Sequence, residues 1–188
     1  ALQPPARGSN VGIVTNGGGP GIIVADIAES RGLKVPKLSG ESLKELKKYV
    51  EDGTIPEIAT FANPIDISGT AGDEAYAVAT EVVLSDKNID LVIVLALHHP
   101  PTITSRMPEK ILKVIRDYRK PVIIIDIGLL GLSREVRELF DRNSIPAFPL
   151  PERAVSGACG LVEYGKWLKR NDVLEEYLES WRPPEMPV

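Results

Sequence analysis

Residues 91–97 read LVIVLAL and residues 122–126 read VIIID. Successive residues of a strand point to opposite faces of the sheet, and in both runs apolar residues fall on both faces. A strand built from either run therefore has two faces that other elements must cover. Strands of this kind lie in the middle of a parallel sheet that carries helices on both sides. The two runs therefore predict an α/β fold in which they form the central strands of the sheet.

Three weaker runs extend the predicted sheet outward from this centre: VGIVT (11–15), KVPKL (34–38) and AFPL (147–150). The proline in 34–38 places that strand near an edge. Amphipathic stretches predict helices at 19–30, 42–51, 73–85, 108–118, 133–143, 151–170 and 171–181. Ser42 and Glu45 fit a capping box at the start of the second helix. This alternation predicts a three-layer, flavodoxin-like, doubly wound parallel sheet of about five strands.

The 188 residues (20.4 kDa) fit one domain with short appendages. Residues 1–9 resemble a linker, residues 10–170 hold the predicted fold, and residues 171–188 predict a short helix with a proline-rich tail. No internal repeat or low-complexity tract divides the chain further.

Charge and composition exclude several function classes. Lys and Arg number 22 against 26 Asp and Glu, a net charge of -4, so no basic field favours nucleic acid or an anionic membrane. The single cysteine excludes an internal disulfide. No apolar run reaches the roughly 18 residues of a membrane helix, and the first residues do not resemble a secretion signal, which predicts a cytoplasmic protein.

The first predicted strand leads directly into a glycine-rich loop of Asn16, Gly17, Gly18 and Gly19. Successive glycines let several main-chain N–H groups converge at a helix N-terminus, where a phosphate or carboxylate is favoured. The loop lacks the Lys-Ser or Lys-Thr of a Walker loop, and Ile22 replaces the third glycine of a dinucleotide fingerprint. We therefore predict an anion contact here, with a purely structural turn as the alternative.

A second loop contains Gly69, Thr70 and Ala71 and precedes the helix predicted from residue 73. Its N-terminus could face the same side of the sheet, so that two helix dipoles hold one anion. Asp73 and Glu74 would compete with that anion unless they point away. The alternative is an ordinary capped helix without a ligand.

The only histidines, His98 and His99, follow the third predicted strand. An imidazole at a strand end could be a nucleophile or a phosphate acceptor, although polar residues at the rim of a sheet are the more common explanation. No cysteine or carboxylate accompanies them locally, so we predict no metal site. Asp126, at the end of the fourth predicted strand, is expected to cap the chain or to contact a ligand. We predict no catalytic residue in the chain.

Three motifs resemble a known family: VGIVTNGGGPG (11–21), NPIDI (63–67) and PERAV (151–155). In this order they are similar to the last domain of the α subunit of NDP-forming acyl-CoA synthetases of the ADP-forming acetyl-CoA synthetase type. The resemblance covers nearly the whole chain. In the related succinyl-CoA synthetase, a similar flavodoxin-like domain ends the β subunit.

The resemblance implies a ligase that converts acyl-CoA, phosphate and NDP to acid, CoA and NTP through an acyl phosphate and a phosphohistidine. It also implies that a helix N-terminus of this domain, starting at 69–73 and flanked by 16–19, helps to hold the phosphohistidine loop. The implied partners are CoA-binding and phosphohistidine domains and an ATP-grasp subunit, which would bind CoA, Mg and ATP or ADP. The chain itself shows none of these, so it is expected to be an excised or separately encoded domain, inactive alone and able to self-associate.

Two alternatives stay open at this point. The chain could be an interaction or scaffold domain that keeps the fold and binds no phosphate. It could also be a free-standing enzyme that uses His98 or His99, although these residues follow a different strand from the one that the family would require. The sequence leaves open which acid is activated, whether ADP or GDP is used, and the oligomeric state.

Overall fold

The computed structural model describes residues 2–98, 102–128 and 130–182. Within these ranges, strands and helices alternate along the chain as follows: β1 (Val11–Thr15), α1 (Gly18–Ser30), α2 (Gly40–Glu51), β2 (Thr60–Phe61), β3 (Ile65–Asp66), α3 (Asp73–Ser85), β4 (Leu91–His98), α4 (Met107–Ile115), β5 (Val122–Gly128), α5 (Leu130–Arg142), β6 (Ala147–Phe148), α6 (Pro151–Arg170) and α7 (Leu174–Ser180).

The strands form one sheet in the order β2-β3-β1-β4-β5-β6. Every neighbouring pair is parallel except β2 and β3, which are antiparallel. The apolar runs lie in β4 and β5, inside the sheet, as predicted. Without β2 the parallel strands have the flavodoxin-like order, so the predicted fold class is confirmed.

The strand predicted at 34–38 is wrong. Only Lys34 takes part in the sheet, through an isolated bridge to Asn10. Pro36 has no N–H to donate to a ladder, and the place beside the second half of β1 is taken by β3. The sheet therefore gains its outer strands from residues 60–66.

A side chain completes the edge of β1 where no strand pairs with it. Asn63 is buried, and its Oδ1 accepts the N–H of Ile13 at 2.9 Å. Its Nδ2 donates to the carbonyls of Val11 at 2.9 Å and Pro36 at 2.7 Å. The conspicuous NPIDI motif thus begins with a residue that supplies backbone-like pairing at a sheet edge.

Helices cover both faces of the sheet, which gives the predicted three layers. α1 and α6 pack on one face through residues such as Val24 and Val162. α2, α3, α4 and α5 pack on the other face, where Leu46 and Phe140 are fully buried. Within the described ranges, none of these helices is both long enough and apolar enough to span a membrane.

Helix α2 begins earlier than the predicted capping box places it. Ser39 is the N-cap residue, and its side chain accepts the N–H of Ser42 at 3.2 Å. The helix therefore starts at residue 40, two residues after the end of the strand that was predicted at 34–38. The capping prediction at Ser42 was wrong because the serine one turn earlier takes that role.

The first residues pack against the amino end of the sheet. The Gln3 amide accepts the N–H of Val122 at 2.8 Å and donates to the carbonyl of Ser144 at 2.9 Å. The N–H of Ala6 donates to the carbonyl of Leu161 in α6 at 3.2 Å. Residues 3–6 are buried, so this part of the linker-like segment is fixed to the domain.

Candidate functional site

Two loops lie side by side at the carboxyl end of the sheet. The loop after β1 opens α1, and the loop after β3 opens α3. The N–H of Ile67 donates to the carbonyl of Thr15 at 2.8 Å, and a Cβ placed on Gly69 would lie 3.8 Å from the carbonyl oxygen of Asn16. The structure thus brings the two predicted loops together, with their helices starting from opposite faces of the sheet.

Some of the predicted amide donors are already used within the loops. The N–H of Gly17 donates to the Thr15 hydroxyl at 3.1 Å. The N–H of Thr70 donates to the Ser68 hydroxyl at 3.2 Å, and the N–H of Ala71 donates to the Ser68 carbonyl at 3.0 Å. These three amides shape the loops and are not available to a ligand.

The amides of Gly18, Gly19 and Gly69 have no hydrogen-bond acceptor in the part of the chain that the structure describes. Gly18 and Gly19 form the first turn of α1, where helical N–H groups lack intrahelical partners. Gly19 and Gly69 are exposed. The donors that remain for an anion therefore come from both loops.

The Asn16 side chain joins β1 to β4 and takes no part in the exposed surface. Its Nδ2 donates to the Leu97 carbonyl at 3.1 Å, its Oδ1 accepts the Leu97 N–H at 2.9 Å, and only 4% of the residue is exposed. Below it, the Tyr76 hydroxyl donates to the carbonyl of Leu95 at 3.1 Å. Burial raises the pKa of Tyr76 well above its usual value, so this phenol stays protonated.

The two acids at the start of α3 are held away from the loops. Asp73 accepts the N–H of Thr104 at 2.8 Å and the Thr104 hydroxyl at 2.6 Å. Glu74 forms an ion pair with Lys110 of α4. Lys110 offsets the charge of Glu74, whereas the hydrogen bonds from Thr104 hold the Asp73 side chain and leave its charge in place.

A third acid, Asp66, was missed by the sequence analysis and lies between the loops. Its Oδ1 accepts the N–H of Ser68 at 2.9 Å, and its Oδ2 would lie 2.9 Å from a Cβ on Gly18. The carboxylate thus borders the unused amides and opposes an anion there. Its position as the last residue of a strand before a ligand loop is the signal that could have found it.

His98 and Asp126 form a buried pair beside this edge. His98 Nδ1 lies 2.7 Å from Asp126 Oδ2, and both side chains are 0% exposed. Arg137 of α5 reaches the same residue, 3.8 Å from Oδ1, and donates to the Asp126 carbonyl at 3.0 Å. His98 is therefore sealed inside the fold and does not lie on an exposed rim, whereas His99 lies outside the described residues.

The buried pair and the loops do not form a metal centre. Among the described residues, no group of three or more His, Cys, Asp and Glu side chains is arranged to hold a metal ion. The chemistry that the edge offers is hydrogen bonding by main-chain amides, at the positive ends of two helices.

Comparison with known proteins decides the family. The model of the Ligase-CoA domain family matches residues 11–171, which include both loops and all six strands of the sheet. The chain belongs to the Ligase-CoA domain family.

Curated relatives of this Ligase-CoA domain include two subunits from Pyrococcus furiosus. It is 30% identical over 169 residues to the alpha subunit of ADP-forming acetate-CoA ligase II, which covers 87% of this chain and 35% of the relative. The alpha subunit of ligase I is 31% identical, with 87% and 34% covered. The domain thus spans about a third of the length of these relatives.

Solved structures share the fold. PH0766 from Pyrococcus horikoshii has a TM-score of 0.78 at 32% identity, covering 88% of this Ligase-CoA domain and 38% of that chain. The apo form of dinucleotide forming acetyl-coenzyme A synthetase 1 from Candidatus Korarchaeum cryptofilum also has a TM-score of 0.78, at 29% identity, covering 93% and 37%. A second structure of the latter enzyme contains phosphate and ADP.

Proposed function

We propose that this domain is one module of an NDP-forming acid-CoA ligase, which converts acyl-CoA, phosphate and NDP to acid, CoA and NTP. In this role it supplies the N-termini of α1 and α3 to a phosphorylated histidine that another domain carries. The similarity to acetate-CoA ligase alpha subunits supports the reaction class.

The unused amides of Gly18, Gly19 and Gly69 carry this proposal. A phosphoryl group with up to two negative charges gains from N–H donors at helix N-termini, where the helix dipole adds a partial positive charge. Of the two acids of α3, Glu74 is paired with Lys110, whereas Asp73 is held by Thr104 and keeps its charge at the start of the helix. The domain would bind and orient the phosphoryl group without contributing a nucleophile.

The remaining chemistry belongs to partners. A CoA-binding domain, a phosphohistidine domain and an ATP-grasp subunit would bring CoA, the reacting histidine, Mg and ATP or ADP. Within this chain, His98 is fully buried and cannot reach a phosphate on another domain. The isolated domain is therefore expected to be inactive, and activity requires reconstitution.

A matched pair of substitutions at Gly19 tests the proposal in the reconstituted ligase. Gly19→Pro removes the N–H at a first-turn position that tolerates proline, whereas Gly19→Ala keeps the N–H and adds a Cβ that meets nothing within 4 Å. We expect Gly19→Pro to lower acyl-CoA-dependent NTP formation about 10- to 100-fold, since a hydrogen bond to a charged group contributes about 1.5–3 kcal/mol.

Gly19→Ala should retain near-normal activity, and circular dichroism should show both variants folded. Equal rates for the proline and alanine variants would contradict a phosphate contact by this amide. Failure of the wild-type domain to restore activity to the remaining domains would contradict the ligase role itself.

One observation favours a second function, an interaction domain without a phosphate site. The Asp66 carboxylate borders the same amides and would repel an anion. Calorimetric titration of the reconstituted assembly and of the domain with phosphate distinguishes the two functions. An interaction domain predicts no loop-dependent heat of binding in either case, together with normal assembly of the Gly19→Pro variant.

A further inference from the structure

A cavity of about 480 Å³ lies at the amino end of the sheet, opposite the glycine loops. Its floor includes Val122 at the start of β5 and Ile145 just before β6. Its walls come from the ends of α4 and α5, from the Gln3 segment and from the residues after α7.

The cavity is strongly cationic. Five basic residues line it, and no acid occurs among the described lining residues: Arg116, Arg119, Lys120, Arg142 and Arg182. The whole chain has a net charge of -4, so this cluster is a local reversal of the overall sign. A concave surface with one sign of charge attracts a ligand of the opposite sign.

Three of these cations are held in place by main-chain carbonyls. Arg119 donates to the carbonyl of Trp181 at 2.9 Å, and Lys120 donates to the carbonyl of Asp86 at 2.6 Å. Arg182 donates to the carbonyl of Glu179 at 2.8 Å. Carbonyl oxygens fix these side chains without neutralising their charges, although Asp86 and Asp90 lie close enough to Lys120 to offset part of its charge.

The other two cations keep donors free. Arg116 has no ion-pair or hydrogen-bond partner in the described part of the chain. Arg142 lies 3.8 Å from Glu138, in an exposed pair that contributes little. Arg116 directly follows α4 and Arg142 is the last residue of α5, so each lies at the negative end of a helix dipole. That dipole end carries only about half a charge and does not neutralise the full charge of a guanidinium group. The two guanidinium groups are therefore the available anion ligands.

Apolar side chains form the rest of the wall. Leu112 and Ile115 of α4 line the cavity, as do the aromatic residues Tyr118 and Trp181. The volume is within the range of small-molecule sites, roughly 300–1,000 Å³, which combine an apolar lining with a few polar groups. A bare inorganic ion would leave this apolar wall without a partner.

We propose that this cavity binds an organic phosphate, a molecule that joins a phosphate group to a flat apolar ring. Arg116 and Arg142 contact the phosphate, and the Tyr118 and Trp181 side of the cavity contacts the ring. The site is separate from the glycine loops, and it stands or falls independently of the ligase role.

Calorimetry of the 188-residue chain with three probes tests this proposal: ADP, adenosine and pyrophosphate. We expect ADP to bind more tightly than either part, with an affinity that falls as salt rises. Arg116→Gln with Arg142→Gln should weaken ADP binding about tenfold or more, because two charge-assisted hydrogen-bonding groups are lost. Adenosine binding should be unaffected by this double substitution.

Lys44→Gln with Lys47→Gln is the matched control. It removes the same two charges from exposed positions on α2 that do not line the cavity. In a Trp167→Phe background, fluorescence of Trp181 should respond to ADP and so report the location. Equal binding of ADP and adenosine, equal affinity in the two double variants, or no ADP binding at millimolar concentration would each overturn the proposal.

Discussion

The two ends of the sheet present different chemistry. At the carboxyl end, the groups free for a ligand are main-chain amides. His98 and Asp126 are buried there, Asp73 and Glu74 have partners, and the Asp66 carboxylate is partly exposed. At the amino end, Gln3 and the first residues occupy the backbone donors, and the charge comes from long basic side chains. Recognition at the carboxyl end therefore depends on loop geometry, whereas recognition at the amino end depends on which side chains are present.

The largest effect is expected at the carboxyl end, from His98→Ala. This change removes the His98 partner of Asp126, and among the described residues Arg137, 3.8 Å away, is the charged group that remains. Removing one member of a buried pair leaves the other buried without its partner and costs about 3–5 kcal/mol, which urea denaturation should show as a lower free energy of unfolding.

Arg134→Ala is the control, since it breaks a solvent-exposed pair with Glu138 that contributes little to stability. A loss for His98→Ala no larger than that of the control would mean that the buried pair does not stabilise the carboxyl end, and the contrast between the two ends would weaken.

Next in size is Gly165→Ala in α6, which tests how firmly the amino-terminal segment is packed. A Cβ there would lie 1.9 Å from the carbonyl oxygen of Ala6, so the segment must move. We expect a loss of about 1–3 kcal/mol in the free energy of unfolding, as for other overpacked sites.

Gly160→Ala in the same helix is the matched control, because its Cβ meets nothing within 4 Å. It should stabilise the protein by roughly 0.5–1 kcal/mol through helix propensity. If thermal denaturation gave both variants the same shift in Tm, the close contact between Ala6 and α6 would be refuted.

The smallest effect is expected for Asp66→Asn, which bears on the electrostatics of the glycine loops. Asparagine keeps an oxygen for the Ser68 N–H and removes the charge beside Gly18. Phosphate affinity in the reconstituted ligase should rise about two- to fivefold, the size expected for a partly exposed charge. Asp73→Asn removes the same charge from the first turn of α3, where Thr104 holds the side chain, and is the control for net charge. Equal tightening in both variants would contradict a specific effect of Asp66.

Hydrophobic patterning predicted the centre of the fold, because β4 and β5 are buried on both faces and their sequences leave no alternative. It failed at the edge, where β3 is only two residues long. There the Asn63 side chain makes the hydrogen bonds to the backbone of β1 that a neighbouring strand would otherwise make. A pattern of apolar residues carries no signal for pairing made by an amide side chain.

Sequence reasoning predicted that the two loops face the same side of the sheet, whereas their contact with an anion stays a prediction. Strand order brings the ends of β1 and β3 together, so adjacency of the two loops follows from topology. The pairing of His98 with Asp126 depends on register: Ala96 is opposite Asp126, which sets His98 two residues farther along the same face. Register between strands is set by three-dimensional packing and is not visible in either strand alone.

The sheet ends on both sides in strands only two residues long, β2 and β6. An outer strand so short exposes few unpaired backbone groups, and a second chain would find little to extend by strand addition. Growth of the sheet from molecule to molecule is thereby discouraged, even though its interior strands are among the most hydrophobic segments of the protein. The helical faces and the loops are therefore the surfaces that remain open to contact with another molecule.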